Sequence, residues 1–504
     1  MEVKGMEKTT EINELKSEKM KELQTDIAII GGGPGGLAAA LQAAQLGVTS
    51  IVLDKRDRLG GVMMGGTGPF AAGTIQQRRE RKTLTPEDAF EFFMNFTHWQ
   101  TDPGLVAAFV GKSAETIQWL EALGCSFEHV VCYIDGGYHT WHENDMSKGF
   151  ITDHLWAAAK ALGVTAMTKT KATKILMKDG RAVGVCAVDD AGVQYRIRSK
   201  AVIVSTGGFG SNPEMVKKYT KYELGKNLVC GSTLTDGDGL KMMWEVGAAK
   251  DRMMMDAHVS LIDPKLAGAA GVSNDFDAFK QPNLMVNKSG KRFTNEAVMH
   301  NGAYAINIVS QQEDLCGYMI LTDEIVAKYK KEGMPILLPL KPPFQNEYAD
   351  WPKNFEKSLA EVVDRSDDVF EADTIRELAL SAGIDPGQLE DTVREYNEIC
   401  DQKQDRQFFK KPEYLLPIRG KKYYMARYRA SSFCSLGGVK IDKNASVLDT
   451  RQAVIPGLYA AGNDACSICL DTYSFFTAGL TSSFALNMGR IAAQSAVGFI
   501  KKAR

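Results

Sequence analysis

The chain has 504 residues and a formal net charge of −2, so it offers neither a basic field for nucleic acid nor an acidic tail. Its length exceeds what one compact core supports and predicts two domains. It shows no long uninterrupted apolar run and no basic stretch leading into one, which predicts a cytoplasmic protein with no membrane segment. Nine cysteines, an odd number, fit reduced thiols better than a disulfide framework. The spacing Cys466-Ser467-Ile468-Cys469 lacks a second pair or nearby histidines, so it reads as two small core residues, and no metal is expected.

Residues 1–23 alternate Glu and Lys with sparse apolar positions and read as a charged arm outside the fold. From residue 24 the pattern changes. Ile27-Ala28-Ile29-Ile30 reads as a buried strand, Gly31-Gly32-Gly33-Pro34-Gly35-Gly36 as a glycine turn, and Leu37 onward as a helix. Gly31, Gly33 and Gly36 form G-x-G-x-x-G, which places a pyrophosphate on the free N–H groups of a helix start. A second strand, Ser50–Leu53, ends in Asp54, about 20 residues on, where a carboxylate can hold a ribose. These features upgrade the turn from a generic loop to a dinucleotide signature.

The glycine run from Gly60 and Gly61 to Gly68 would let backbone pass close to a cofactor. Helices are predicted over Pro86–Trp99 and Pro103–Gly124, the second with Asp102 as its N-cap. The segment Asp135–Asp145 gathers His139 and His142 with aromatics and could line a site, although satisfied loop histidines are an equal reading. A helix from Gly149 to Gly163 leads to strands near Thr173–Met177, Arg181–Val188 and Ala201–Ser205. The last strand runs into a second glycine turn, Thr206-Gly207-Gly208-Phe209-Gly210, and Asp236-Gly237-Asp238-Gly239 makes a third.

Residues 253–426 lose this rhythm and hold most of the prolines and charged helices, so they read as an inserted second domain between 24–252 and 427–504. Glycine punctuation resumes at Leu436-Gly437-Gly438 and at Gly457–Asp464, and Leu480–Val497 reads as a closing helix.

Five ordered blocks together resemble a known family. They are Gly31–Gly36 with Asp54; Gly60-Gly61; Thr206–Phe209; Val286-Asn287-Lys288-Ser289-Gly290-Lys291-Arg292-Phe293-Thr294-Asn295-Glu296; and Gly457–Asp464. The chain is similar to the flavoproteins that include soluble fumarate reductases, urocanate reductase and the 3-ketosteroid dehydrogenases. The resemblance implies an α/β fold, with a Rossmann-like FAD-binding domain and an inserted α+β capping domain closing a small-molecule substrate against the flavin. It implies FAD held by Gly31, Gly33, Gly35, Gly36, Asp54, Lys55, Gly60, Gly61, Thr206, Gly207, Gly208, Asp238, Asn463, Asp464, Gly479 and Leu480. With one dinucleotide fingerprint, electrons are expected to pass through an external donor or acceptor.

The family exchanges a hydride between flavin N5 and one carbon of a C=C or CH–CH unit beside an activating group. Fumarate reductases clamp a dicarboxylate with arginines and histidines. At the corresponding places this chain carries Cys434, Ala297-Val298-Met299-His300, Ile325-Val326-Ala327 and Leu470–Thr477, which lack those arginines. The ketosteroid branch fits the C-terminal motif better: Tyr473 falls where a tyrosine meets the substrate ketone, and His300 and Tyr304 fall near its catalytic tyrosine. Tyr473, Phe475, Phe476 and Met253-Met254-Met255 would line an apolar pocket, although the methionines read equally well as core. The expected reaction is therefore reduction or formation of a C=C bond beside a carbonyl on an apolar enone, such as a 3-oxo steroid or bile-acid derivative. Tyr473 would polarise the carbonyl, and His300 or Tyr304 would exchange the proton. The alternative is a reductase of small unsaturated acids of the aryl acrylate, urocanate or fumarate type, with Arg427 or Arg429 holding the carboxylate.

Overall fold

The structure, a computed structural model, describes residues 20–65, 68–260, 274–335 and 353–502. Most of the expected N-terminal arm and residues 66–67 of the glycine run lie outside these, as do 261–273 and 336–352 of the expected insertion.

Four apolar strands, Ile27–Ile30, Ser50–Leu53, Thr165–Met167 and Ala201–Val204, lie parallel in one six-stranded sheet, which Val454–Ala460 extends in parallel and Ser446–Leu448 closes antiparallel. Ile27–Ile30, Ser50–Leu53 and Ala201–Val204 are buried throughout, as continuous apolar runs in a parallel sheet require. Helix Pro34–Gln45 packs against the long closing helix Leu480–Lys502, and the two approach so closely that a Cβ on Gly489 would lie 2.3 Å from the Gly35 carbonyl oxygen. This is the expected α/β flavoprotein architecture.

A second sheet, ordered Lys21–Gln24, Gln194–Arg198, Arg181–Asp189, Thr170–Lys178, stands beside the first. Residues 21–23 thus belong to a strand and not to the arm, because Lys21–Gln24 pairs in parallel with Gln194–Arg198. The third sheet is built on Tyr423–Ser432, which pairs with Gly317–Thr322, Leu228–Cys230, His258–Ser260 and Val369–Ala372. The expected boundary at 426/427 falls inside that strand, and the one at 252/253 falls inside Lys250–Met255, which pairs antiparallel with Ser435–Val439. Strand pairing thus crosses both of the expected boundaries.

Inside the third sheet's layer, Glu296 is fully buried and accepts both Arg292 Nε and Nη2 at 2.8 Å, with Lys410 Nζ at 3.1 Å. Arg292 also reaches Asp405 at 2.7 Å. The Val286–Glu296 block is therefore a structural ion cluster whose charges satisfy one another.

Candidate functional site: a flavin cradle opening into an aromatic chamber

The glycine turn is shaped by close approach. Gly31 has φ +102°, and a Cβ there would lie 2.1 Å from the Ser205 carbonyl oxygen; one on Gly36 would lie 1.8 Å from the carbonyl oxygen of Gly31. Only glycine fits either position. Gly33 differs: the nearest atom to a Cβ there is 3.9 Å away, so its face is open to a cavity of about 370 Å³. Gly33 also caps helix Pro34–Gln45 without a side-chain hydrogen bond, leaving the first-turn N–H groups for an anion.

Asp54 stands at the same end, its Oδ2 accepting Gly32 N–H at 2.8 Å and its Oδ1 accepting Arg56 N–H at 2.9 Å. Lys55 bridges Asp236 at 2.7 Å and Asp238 at 2.9 Å, tying two of the expected residues together. Gly31, Gly33, Gly35, Asp54, Lys55, Gly61, Thr206, Gly207, Asp238, Asn463 and Gly479 all line the cavity. Gly36, Gly60, Gly208, Asp464 and Leu480 shape it from behind. Gly60 N–H donates to Gly32 at 2.8 Å, and Leu480 is buried core. Asp464 is a brace: its carboxylate accepts the Thr206 N–H, the Thr206 hydroxyl at 3.0 Å and Gly208 N–H at 3.0 Å, holding the second glycine turn from a segment far along the chain. Burial raises its pKa, while those same hydrogen bonds pull it back down.

The far end of the cavity has a different chemistry. Tyr133, Trp141, Phe433, Tyr473 and Phe475 line it. Phe475 stacks on Tyr133 at 5.2 Å and meets Tyr473 edge-on at 5.1 Å, and Tyr133 meets Trp141 edge-on at 5.7 Å. Burial pushes the Tyr133 phenol up to about 12. It lifts Tyr473 well above its usual value, with Cys469 and Asp256 adding to the effect. Trp141 Nε1 is buried with no hydrogen-bond partner among the described residues and lies close against Gly68. With the open Gly33 face, the uncapped helix start and Asp54 at the same end, the residues fit an FAD lying along the cavity.

Two groups at this end were not legible as site residues. Asp256, which follows the Met253–Met255 run, is 4% exposed and lines the cavity beside Cys434. Burial raises its carboxyl to about 6, although hydrogen bonds from Cys434, Ser432 and Phe433 oppose the shift. Thr481 and Ser482, in the first turn of the closing helix, also face the cavity. Their signal was present in the hydroxyls that follow Gly479-Leu480.

Other expected site residues fall elsewhere. Glu296–His300 forms a tight 3-10 turn, and Asn301 caps a new helix, Gly302–Val309, by accepting Ala303 and Tyr304 N–H. The helical spacing from Glu296 to Tyr304 is thereby broken. His300 faces Asp135 at 3.8 Å, and Tyr304 lies in a surface groove with Phe476 and Tyr138. Neither is among the residues lining the cavity. His142 is a core histidine, its Nδ1 on the Thr140 carbonyl at 2.9 Å and its Nε2 on the Thr74 hydroxyl at 2.8 Å; burial lowers its pKa to about 4. Met254 and Met255 are buried in the strand pairing with Ser435–Val439, and none of the three methionines lines the cavity. Cys466 and Cys469 are buried free thiols whose pKa values burial raises, which suits core packing and not redox exchange. Arg427 and Arg429 both close on Asp368 at 2.5 Å, so neither is available to a substrate carboxylate in the cavity.

Comparison with known proteins agrees with this geometry. A family model described as an FAD binding domain matches residues 26–474. The chain is 32% identical over 484 residues to the vinyl phenol reductase of Lactiplantibacillus plantarum, covering 93% of this chain and 96% of that protein. It is 26% identical over 499 residues to the cytochrome-type fumarate reductase of Shewanella frigidimarina, covering 97% and 80%. The 3-ketosteroid Δ1-dehydrogenase of Sterolibacterium denitrificans shares its fold with a TM-score of 0.71 over 94% of this chain and all of that one, at 18% identity.

Proposed function

The chain belongs to the FAD binding domain family and takes FAD as its cofactor, and we propose that it is an oxidoreductase that reduces the C=C bond of a flat, uncharged alkene conjugated to an aromatic ring. FAD, when bound, supplies the hydride and is recharged by an external electron donor. The observation that carries the reading is the composition of the cavity. Its lining cations, Lys55, Arg56 and Lys171, keep company with Asp54, Asp236 and Asp238, whereas the far end presents aromatic rings and one carboxyl, Asp256. A dicarboxylate would find no counter-charge among the described residues there, and would meet Asp256 instead.

The 32% identical relative supports an aryl alkene in particular, since it is named for vinyl phenol. Tyr133, Trp141 and Phe475 would sandwich such a ring and exclude water. Tyr473, with its hydroxyl kept protonated by burial, would hold the proton delivered to the carbon next to the one that takes hydride. We take residues 253–426 as the lobe that caps this chamber, with the third sheet as its frame.

An apolar enone such as a 3-oxo steroid is the second reading. It is favoured by the place of the Tyr473 hydroxyl at the cavity wall, where it could donate to a ketone. Anaerobic reoxidation of photoreduced holoenzyme by 4-vinylphenol, a 3-oxo-4-ene steroid, urocanate and fumarate separates these. Rapid reoxidation by 4-vinylphenol is expected; turnover of fumarate alone would overturn both apolar readings.

A further inference from the structure

Asp256 has no part in holding a flavin by the geometry above, yet it is buried and borders the substrate end of the cavity. Its two oxygens are treated unequally. Oδ1 accepts the Ser432 hydroxyl, Phe433 N–H at 2.9 Å and Cys434 N–H at 3.0 Å. Oδ2 has the Cys434 thiol at 3.4 Å, a weak donor. No cation stands among these partners, in contrast to Glu296 with its Arg and Lys. A buried carboxylate with one saturated and one undersupplied oxygen is a site for a donor that arrives with a ligand.

The donor's chemistry follows from its surroundings. Phe433, Tyr133, Trp141 and Phe475 ask for an aromatic ring, and a carboxylate oxygen asks for an acidic O–H. We infer that Asp256 is a specificity residue that accepts the hydroxyl of a phenolic substrate, so that the preferred ligands are aryl alkenes carrying a free ring hydroxyl. This rests on the aryl-alkene reading and narrows it from any flat alkene to a phenol.

Between pH 5 and 8, Asp256 is the group at this wall whose charge changes, with its carboxyl titrating at about 6. The groups around it lie outside that window. Burial lifts Cys434, Cys466 and Tyr473 well above their usual values and Cys469 to about 12, raises Cys230, and holds His258 down at about 4. Below pH 6 the carboxyl protonates and becomes a poorer acceptor.

The test is binding to the oxidised holoenzyme, read from perturbation of the flavin absorbance, with 4-ethylphenol and its O-methyl ether, 4-ethylanisole. At pH 7.5 the phenol is expected to bind about 10- to 100-fold more tightly than the ether, as one hydrogen bond to a charged acceptor supplies. At pH 5, where about nine tenths of the carboxyl is protonated, the ratio should fall to roughly 2- to 10-fold. In Asp256→Asn the amide oxygen takes the Oδ1 donors and the NH₂ group turns to the cavity, which serves ether and phenol oxygens alike. The ratio should then approach one at both pH values. Equal binding of the two ligands by the wild type at pH 7.5, or a ratio unchanged at pH 5, overturns the inference; the wild-type pH series decides even where the variant loses its flavin. Because binding is read without turnover, it is separate from the functional reading. A reduced enzyme that no aryl alkene reoxidises defeats that reading, while the phenol-to-ether ratio still decides the role of Asp256.

Discussion

At one end of the cavity Lys55 lies between Asp236 and Asp238, Asp54 is held by two backbone N–H groups, and a helix starts with its N–H groups bare. At the other, buried Asp256 shares the lining with Tyr133, Trp141, Phe475 and Tyr473, and neutral donors are its partners. The first arrangement suits a charged cofactor in any member of such a fold, since phosphate and ribose make the same demands whatever the reaction. On the reading proposed above, the second suits a neutral ligand better than an anionic one. Cofactor and substrate preferences would then reside in different elements and could be broken separately.

The largest effect is expected where the backbone leaves no space. In Gly36→Val the new Cβ would overlap the Gly31 carbonyl oxygen, and the protein should be recovered colourless, its flavin affinity reduced by more than about 100-fold, as ultrafiltration with free FAD would show. Glu296→Gln attacks the other kind of buried carboxylate. Leaving Lys410 without its carboxylate, and Arg292 with Asp405 as its remaining carboxylate partner among the described residues, should cost about 3–5 kcal/mol in chemical denaturation, while the flavin spectrum of the folded enzyme stays unchanged. Tyr473→Phe keeps the ring stack on Phe475 and removes only the hydroxyl. It should lower kcat for the alkene about 10- to 100-fold with little change in KM.

Asp256→Asn sharpens the contrast through stability. The wild-type carboxyl titrates at about 6 in the folded chain against an ordinary value of 3.8, so folding is favoured by its protonated form and weakens as pH rises from about 4 through 6. The variant should be more stable than the wild type at pH 8, by up to roughly 3 kcal/mol, and should lose that advantage at pH 4. The smallest effect belongs to Arg429→Ala. Because this arginine is committed to Asp368, KM for the alkene should move by less than about twofold; a sharp rise would restore the unsaturated-acid alternative.

What the sequence disclosed and what it hid follow the same division. The turn at Gly31–Gly36, Asp54 at the end of its strand and the Thr206–Gly208 turn are local patterns, each set by a few neighbouring residues, and all appear where their spacing places them. Asp464 was legible as a site residue, but its role as a brace depends on a contact across 258 positions. Asp256 was hidden because a long-range pairing, Lys250–Met255 with Ser435–Val439, assembles its surroundings, whereas Trp141 lay within the Asp135–Asp145 segment expected to line a site, and the local hairpin of Phe127–Cys132 with His139–Asn144 brings Tyr133 against it. His300 and Tyr304 stand outside the cavity lining for a local reason, since the Asn301 cap interrupts the helix that their spacing assumed.

The central claim is that the substrate end of the cavity presents no cation among the described residues and reads a neutral phenol. Two ligands that differ only in a carboxylate address it directly: 4-vinylphenol and 4-hydroxycinnamate, compared by stopped-flow reoxidation of the reduced holoenzyme at pH 7.5. The account predicts kcat/KM at least about 100-fold higher for 4-vinylphenol, as expected when a carboxylate must be buried in the aromatic chamber with no cation to pair it among the described residues. Equal rates, or a preference for 4-hydroxycinnamate, would contradict it.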